Sequence, residues 1–250
     1  MTVVVTGGAG GLGREIMAEY TARGVEARSA SRRTGFNLAT GAGLLETLRE
    51  ADVVVHAATS SLHYRQVDLA GTHRIIGTLS ELGRRPHLVY VSIVGCDQTP
   101  FPYQTTKSAC EIALRESGLP VTVVRATQFH DLIYRLTSIA RWPLAVVPGK
   151  VAVQPCERRW VAERAVEIAL AEAPEGYVRA TDLAGPERLT VPEAVTETCR
   201  HRGRRAPRTV SLPVVGGTLA AYAAGTNLPG ADAVLGGRSY TDWLVEQPTG

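Results

Sequence analysis

Tyr103 and Lys107 stand four residues apart in Tyr103-Gln-Thr-Thr-Lys107. On a helix this spacing puts both side chains on one face, one turn apart. A phenol beside an ammonium is equipped for proton transfer: the hydroxyl gives or takes the proton and the cation stabilises the tyrosinate. Lys107 and Lys150 are the only lysines among the 27 Lys and Arg residues. A chain that uses arginine almost everywhere keeps a lysine where a compact ammonium, rather than a planar fork, is needed. The alternative is a surface pair at chance spacing.

A second group with chemical capacity is glycine. Val3, Val4 and Val5 form a short β-branched run suited to a strand buried on both faces. Glycines follow at 7, 8, 10, 11 and 13, and then Leu12, Ile16 and Tyr20 recur at helical spacing until Gly24. A strand, a glycine turn and a helix start aim backbone N–H groups and a helix dipole at a phosphate. Gly7, Gly10, Gly11, Leu12 and Gly13 are therefore the expected pyrophosphate cradle of a dinucleotide.

The remaining elements position these two groups. Val25 to Ser29 reads as a second strand, ending in Ser31-Arg32-Arg33, with no Asp or Glu between Ala27 and Glu46. Arginine at this place accommodates a 2′-phosphate, whereas an acidic residue accepts from a 2′-hydroxyl, so the expected cofactor is NADP(H). Exposed loop arginines are the bland reading. A third strand at 51–55 leads into His56-Ala57-Ala58-Thr59-Ser60, a fourth spans Leu88 to Ser92, and a fifth spans Val121 to Arg125. Strands alternating with helical patterns argue for a parallel sheet with helices on both faces.

The pattern Thr6-Gly7-x-x-Gly10-x-x-Gly13, the small residues after the third strand and Tyr103-x-x-x-Lys107 resemble those of the short-chain dehydrogenase/reductases over residues 1–130 or so. The branch indicated is the atypical or extended one that includes NmrA-type regulators and small quinone or isoflavone reductases. The resemblance implies a Rossmann-type doubly wound α/β fold. It places Asn37 and Leu38 beside the adenine, where relatives carry Asp-Leu or Asp-Val. Ala57, Ala58 and Thr59 fall along the cofactor's ribose and pyrophosphate, and Lys107 at the nicotinamide ribose. Val67-Asp68-Leu-Ala-Gly71-Thr72 resembles the family's Val-Asn-x-x-Gly-Thr helix, with Asp68 in place of Asn. Ser92 stands near the family's carbonyl-polarising Ser or Thr, one or two positions early; the alternative is that it satisfies backbone groups at the strand end. Gln128, Phe129 and His130 fall where the family contacts substrate. His130 with Asp131 is alternatively a pair that stabilises the loop.

Residues 1–150 are expected to form the NADP-binding domain. Residues 151–250 are expected to add a small mixed C-terminal substrate-binding portion, with a late strand in 176–183 and a helix capped by Thr190 and Glu193. Charge-poor 208–237 reads as a pocket wall or a subunit contact. The 250 residues suit a single compact unit, and 44% apolar with 20% charged residues is ordinary for a globular protein. No run suits a membrane span; the longest candidate, from Leu212 to Ala224, is broken by Pro213, Gly216 and Gly217. No signal peptide is read, and a cytoplasmic location is expected. Cys96, Cys110, Cys156 and Cys199 lack paired spacing, so neither disulfides nor a metal are expected. Five arginines between 200 and 208 read as a solvated loop without the aromatics of a nucleic-acid surface.

The expected partners are a small-molecule substrate and, at most, a second copy in a homodimer, with no nucleic acid and no membrane. The expected function is hydride transfer between nicotinamide and a small apolar carbonyl or enone, with Tyr103, Lys107 and Ser92 as the catalytic group. The alternatives are an NmrA-like regulator that binds NADP without turnover, and an epimerase or dehydratase that retains its cofactor. The short C-terminal portion speaks against a bulky sugar nucleotide.

Overall fold

The computed structural model describes residues 1–211 and 216–248. Positions 212–215, which include Leu212 and Pro213 of the apolar stretch, lie outside the described residues. The first half runs β1 (Val3–Thr6), α1 (Gly11–Ala22), β2 (Ala27–Ala30), α2 (Leu44–Leu48), β3 (Val53–His56), α3 (Ala70–Glu81), β4 (His87–Ile93), α4 (Pro102–Glu116) and β5 (Val121–Ala126). There follow α5 (His130–Thr137), β6 (Leu144–Val147), β7 (Ala152–Val153), α6 (Arg158–Leu170), β8 (Tyr177–Arg179), β9 (Leu183–Ala184) and β10 (Leu189–Thr190). The chain ends with α7 (Val191–His201), β11 (Arg208–Ser211), α8 (Gly217–Ala223), β12 (Val234–Leu235) and α9 (Tyr240–Val245).

These elements form two compact units. The first comprises residues 1–92, 102–125 and 161–180; the second comprises 93–101, 126–160 and 181–250. The sequence suggests one cut near residue 150, but the chain passes between units several times. The physical reason is that most of α6 and all of β8 return to the first unit, where β8 pairs with β5.

In the first unit the strands lie in the order β2-β1-β3-β4-β5. β1 pairs in parallel with both β2 and β3, and β3 pairs in parallel with β4. Val3, Val4 and Val5 are fully buried, as a central parallel strand covered on both faces requires. The chain moves outward from β1 to β2, then crosses back to β3. Between β1 and β3 the order reverses, and the crevice at the carboxyl ends of such strands is where this architecture takes its ligands. The doubly wound α/β fold expected from the sequence is the fold observed. Leu44, Leu48, Ile75, Leu79, Leu88, Leu114 and Val121 belong to one core cluster on the sheet.

The strands of the second unit pair over short lengths. Ala126 bridges Leu183 and β9 pairs in parallel with β12; β6 pairs in parallel with β11; β7 pairs antiparallel with β10. The expected late strand is thus two pieces, β8 and β9. The capping box expected at α7 is present, with Thr190 accepting from the Glu193 amide and Glu193 accepting in return. Tyr240, Leu244 and Trp243 of α9 pack with Ile133, Val153 and Leu189.

Candidate functional site

The glycine loop is built by close approach. Gly7 has φ +71, and a Cβ there would lie 2.6 Å from the Ala58 Cα. A Cβ at Gly13 would run into the Gly7 carbonyl oxygen. Both the handedness at Gly7 and the space at Gly13 therefore demand glycine. The loop backs directly on Ala57 and Ala58, just past β3, so small residues on both sides let the two turns touch. Gly10 is the N-cap of α1 and contributes no side-chain acceptor. The first-turn amides, including those of Gly11, Leu12 and Gly13, thus have neither an intrahelical partner nor a capping side chain. Such amides at the positive end of a helix suit an anion.

At the end of β2, Arg32 and Arg33 begin a single 3-10 turn, Arg32–Thr34, and both are exposed. The turn is held by its own residues: the Thr34 hydroxyl accepts from the Ser31 amide at 3.0 Å. Asn37 directs its side-chain oxygen to the Ala39 amide, at 3.0 Å. Leu38 is the next residue but turns inward. Its side chain is buried in the core, against the place where Gly71 has no Cβ.

The turn after β3 meets helix α4 through a continuous set of hydrogen bonds. Thr59 Oγ1 donates to Asp68 Oδ1 at 2.7 Å and lies 2.7 Å from the Tyr103 hydroxyl. Since the only Thr59 proton goes to the carboxylate, Tyr103 is the donor in the second bond. The Ser60 amide donates to the other Asp68 oxygen at 3.1 Å, and Lys107 Nζ stands 3.6 Å from Oδ1. Lys107 donates to the Val91 carbonyl at 2.9 Å and sits over the Tyr90 ring. Asp68 is buried and lies on a π-helical turn, Arg65–Leu69, ahead of α3. Tyr103 is only partly covered. One wall of the arrangement is thus buried and charged, and its outer end is a reachable phenol.

Two neighbours complete this region. His56 is fully buried at the end of β3, with Thr6 at 2.7 Å from Nδ1 and Thr72 at 3.2 Å from Nε2. Burial, aided by the Lys107 charge, lowers its pKa to about 3, so the ring is neutral. Ser92 is also buried, and its hydroxyl donates to Glu111, which holds Arg125 through two further bonds at 2.9 and 2.7 Å. The single proton of Ser92 is therefore directed at a side-chain carboxylate, rather than at the backbone groups of the strand end that the sequence offers as its alternative partners.

Gln128, Phe129 and His130 belong to the second unit. Gln128 donates to the Asn227 carbonyl at 2.9 Å. Phe129 bridges Cys156 and lies under the Arg158 guanidinium. His130 is buried against Tyr240 and Trp243, with Nε2 3.0 Å from the Arg238 carbonyl, and burial lowers its pKa. Asp131 pairs with Arg158 rather than with His130. Sequence reasoning missed two members of the first-unit cluster as site residues, Asp68 and His56. Asp68 carried one signal, an acidic residue where the resemblance calls for Asn; His56 carried none.

No protein-family model matches the sequence, and no curated protein sequence matches it. Solved structures do. A nucleoside-diphosphate-sugar epimerase from Staphylococcus aureus matches with a TM-score of 0.74 at 17% identity, over 98% of this chain and 100% of that one. MoeE5, in complex with UDP-glucose and NAD, matches with a TM-score of 0.72 at 18% identity, over 87% and 88% of the two chains. A UDP-glucose 4-epimerase from Thermus thermophilus, in complex with NAD, matches with a TM-score of 0.66 at 18% identity, over 90% and 93%. At these identities the likeness is one of fold.

Proposed function

We propose that this chain is an oxidoreductase of the short-chain dehydrogenase/reductase type that uses NADP(H) on a small carbonyl compound. One observation carries the reading. Gly7 rests on Ala58, and the next residue, Thr59, is hydrogen-bonded to the Tyr103 hydroxyl. The phosphate-binding loop and the acid/base phenol are thereby joined across two adjacent residues. The cradle fits a dinucleotide on the structure's own terms, because the glycine contacts leave no room for side chains where a pyrophosphate needs close approach.

In this reading the amides of Gly11, Leu12 and Gly13 hold the pyrophosphate, and Ser31, Arg32 and Arg33 receive the 2′-phosphate. The bound nicotinamide supplies or accepts hydride. Tyr103 gives the proton to the carbonyl oxygen in reduction and takes it back in oxidation. Lys107, fixed by Val91 and Asp68, adds positive charge beside the phenol and reaches the nicotinamide ribose. Thr59 orients the Tyr103 hydroxyl. Ser92 is given no polarising role, because its proton serves Glu111.

Two of the named neighbours are sugar-nucleotide epimerases and the third is in complex with UDP-glucose, so a retained-cofactor epimerase or dehydratase is the second reading. The size argument against it loses force, because MoeE5 in complex with UDP-glucose is matched over 88% of its own chain. The proton of Ser92 supports a third, a regulator that binds nucleotide without turnover.

A melting experiment with NADPH, NADH and no nucleotide separates these readings first, since a ligand of the native state raises its stability. NADPH is expected to give the larger shift; a larger shift with NADH removes the role given to Arg32 and Arg33. Loss of NADPH absorbance with a panel of apolar ketones, enones and quinones then tests turnover. Tyr103→Phe is expected to slow it by roughly a hundred-fold or more with nucleotide binding intact. Unchanged turnover in that variant overturns the mechanism.

A further inference from the structure

The second unit has a face that the proposed chemistry does not use. β6 and β11 form a two-stranded parallel sheet, with Leu144 beside Arg208 and Val146 beside Val210. Side chains alternate across a sheet, so these four share one face. Val147, from the opposite face, packs on Val195 and Cys199, with Ala145 against the same cluster. The first face is open: Leu144 is 54% exposed, Val146 57% and Val210 48%. Trp142, two residues before Leu144, is 57% exposed, with the Arg205 guanidinium over its ring at 5.2 Å. Ile139, at the approach to this strand, is 76% exposed. Large apolar side chains grouped on one short sheet mark a contact surface rather than ordinary scattered exposure.

Charge selects the partner. The segments that supply this sheet, residues 132–156 and 198–231, contain eight Lys or Arg and no Asp or Glu. All 24 acidic residues lie elsewhere, so the rest of the chain is net negative although the whole is +3. A second copy of the chain seated face to face on this sheet would bring Arg205 and Arg208 against like charge. A nucleic acid would supply the negative charge but nothing for Leu144, Val146 and Ile139. An anionic bilayer offers both, with acyl chains for the aliphatic residues, an interface level suited to tryptophan, and headgroups for the arginines.

We propose that the β6–β11 face, with Trp142, docks the protein on an anionic lipid surface. No helix among the described residues is long and apolar enough to cross a membrane. The proposed contact is peripheral, and it departs from the sequence-based expectation of no membrane partner. The arginine cluster that reads as a solvated loop becomes the polar rim of an apolar face.

The test is co-sedimentation of the full chain with vesicles of phosphatidylcholine alone and of phosphatidylcholine mixed with phosphatidylglycerol, at low and high salt. Binding to the mixed vesicles only, weakened by salt, is the expected result. Arg205→Glu is expected to lower the partition coefficient by about five-fold or more, since each interfacial cation contributes about that factor. Val146→Asp and Trp142→Ala are expected to abolish binding while the melting temperature stays unchanged, because the altered side chains are exposed. Equal binding to both vesicle types, no binding to either, or full binding by Val146→Asp overturns the proposal. So does a dimer without vesicles that Val146→Asp dissolves, because the face would then belong to a second copy. None of these outcomes depends on turnover or on the nucleotide.

Discussion

Helix α4 buries two charges one turn apart and holds them in opposite ways. Glu111 grips Arg125 through both carboxylate oxygens, with Ser92 as a further donor, and all three side chains are buried. Lys107 meets its carboxylate at only 3.6 Å, and its shorter bond goes to a main-chain carbonyl. Asp68 in turn is shared with Thr59 and Ser60, and the set ends at a partly exposed phenol. A bidentate arginine–carboxylate pair is geometrically committed and ties β4 and β5 to the helix. An ammonium set loosely over an aromatic ring and beside a shared carboxylate keeps the capacity to meet another group. The contrast fits the first pair to the fold and the second to the proposed chemistry.

The contrast is open to measurement. Glu111→Gln strips Arg125 of its carboxylate inside the protein, and urea unfolding is expected to show a loss of about 3–5 kcal/mol. Asp68→Asn keeps one acceptor oxygen where Thr59 and Ser60 use two, and is expected to cost about 1–2 kcal/mol in the same assay. Equal losses would erase the distinction between the two pairs, and a larger loss for Asp68→Asn would reverse it.

The smallest expected effect concerns His56, which the folded chain keeps neutral beside Lys107. Its pKa falls on folding from the ordinary 6.5 to about 3. Between these values the unfolded chain binds the extra proton, so stability falls as pH falls through that window. The contribution is about 1 kcal/mol between pH 6.5 and 5.5, and His56→Gln is expected to flatten that part of a urea-derived stability curve. An unchanged slope would mean that the ring accepts a proton in the folded chain beside Lys107.

Much of the first unit was legible in the chain itself. The valine run, the glycine spacing and the apolar period after Gly13 are local patterns, and β1, the turn and α1 follow them. Thr190 with Glu193 announced a helix start for the same reason, since a capping box is made within four residues. What resisted reading was long-range. Ser92 is 19 residues from Glu111, and its role turned on which helix face meets the end of β4. The dipeptide pattern at Asn37 and Leu38 gives no sign that the close approach allowed by Gly71 sets the Leu38 side chain in the core. The interleaving of two units escaped detection because α6 and β8 carry no local mark of the sheet to which they return.

Residue type and spacing alone determined the doubly wound architecture, the glycine loop and the Tyr103–Lys107 helix, because periodicity and backbone sterics act over a few residues. Only the tertiary structure decided that Asp68 stands between Thr59 and Lys107, that Ser92 faces Glu111, and that an apolar face opens beside the arginines. Those outcomes depend on which distant segments pack together, and packing is a property of the whole chain.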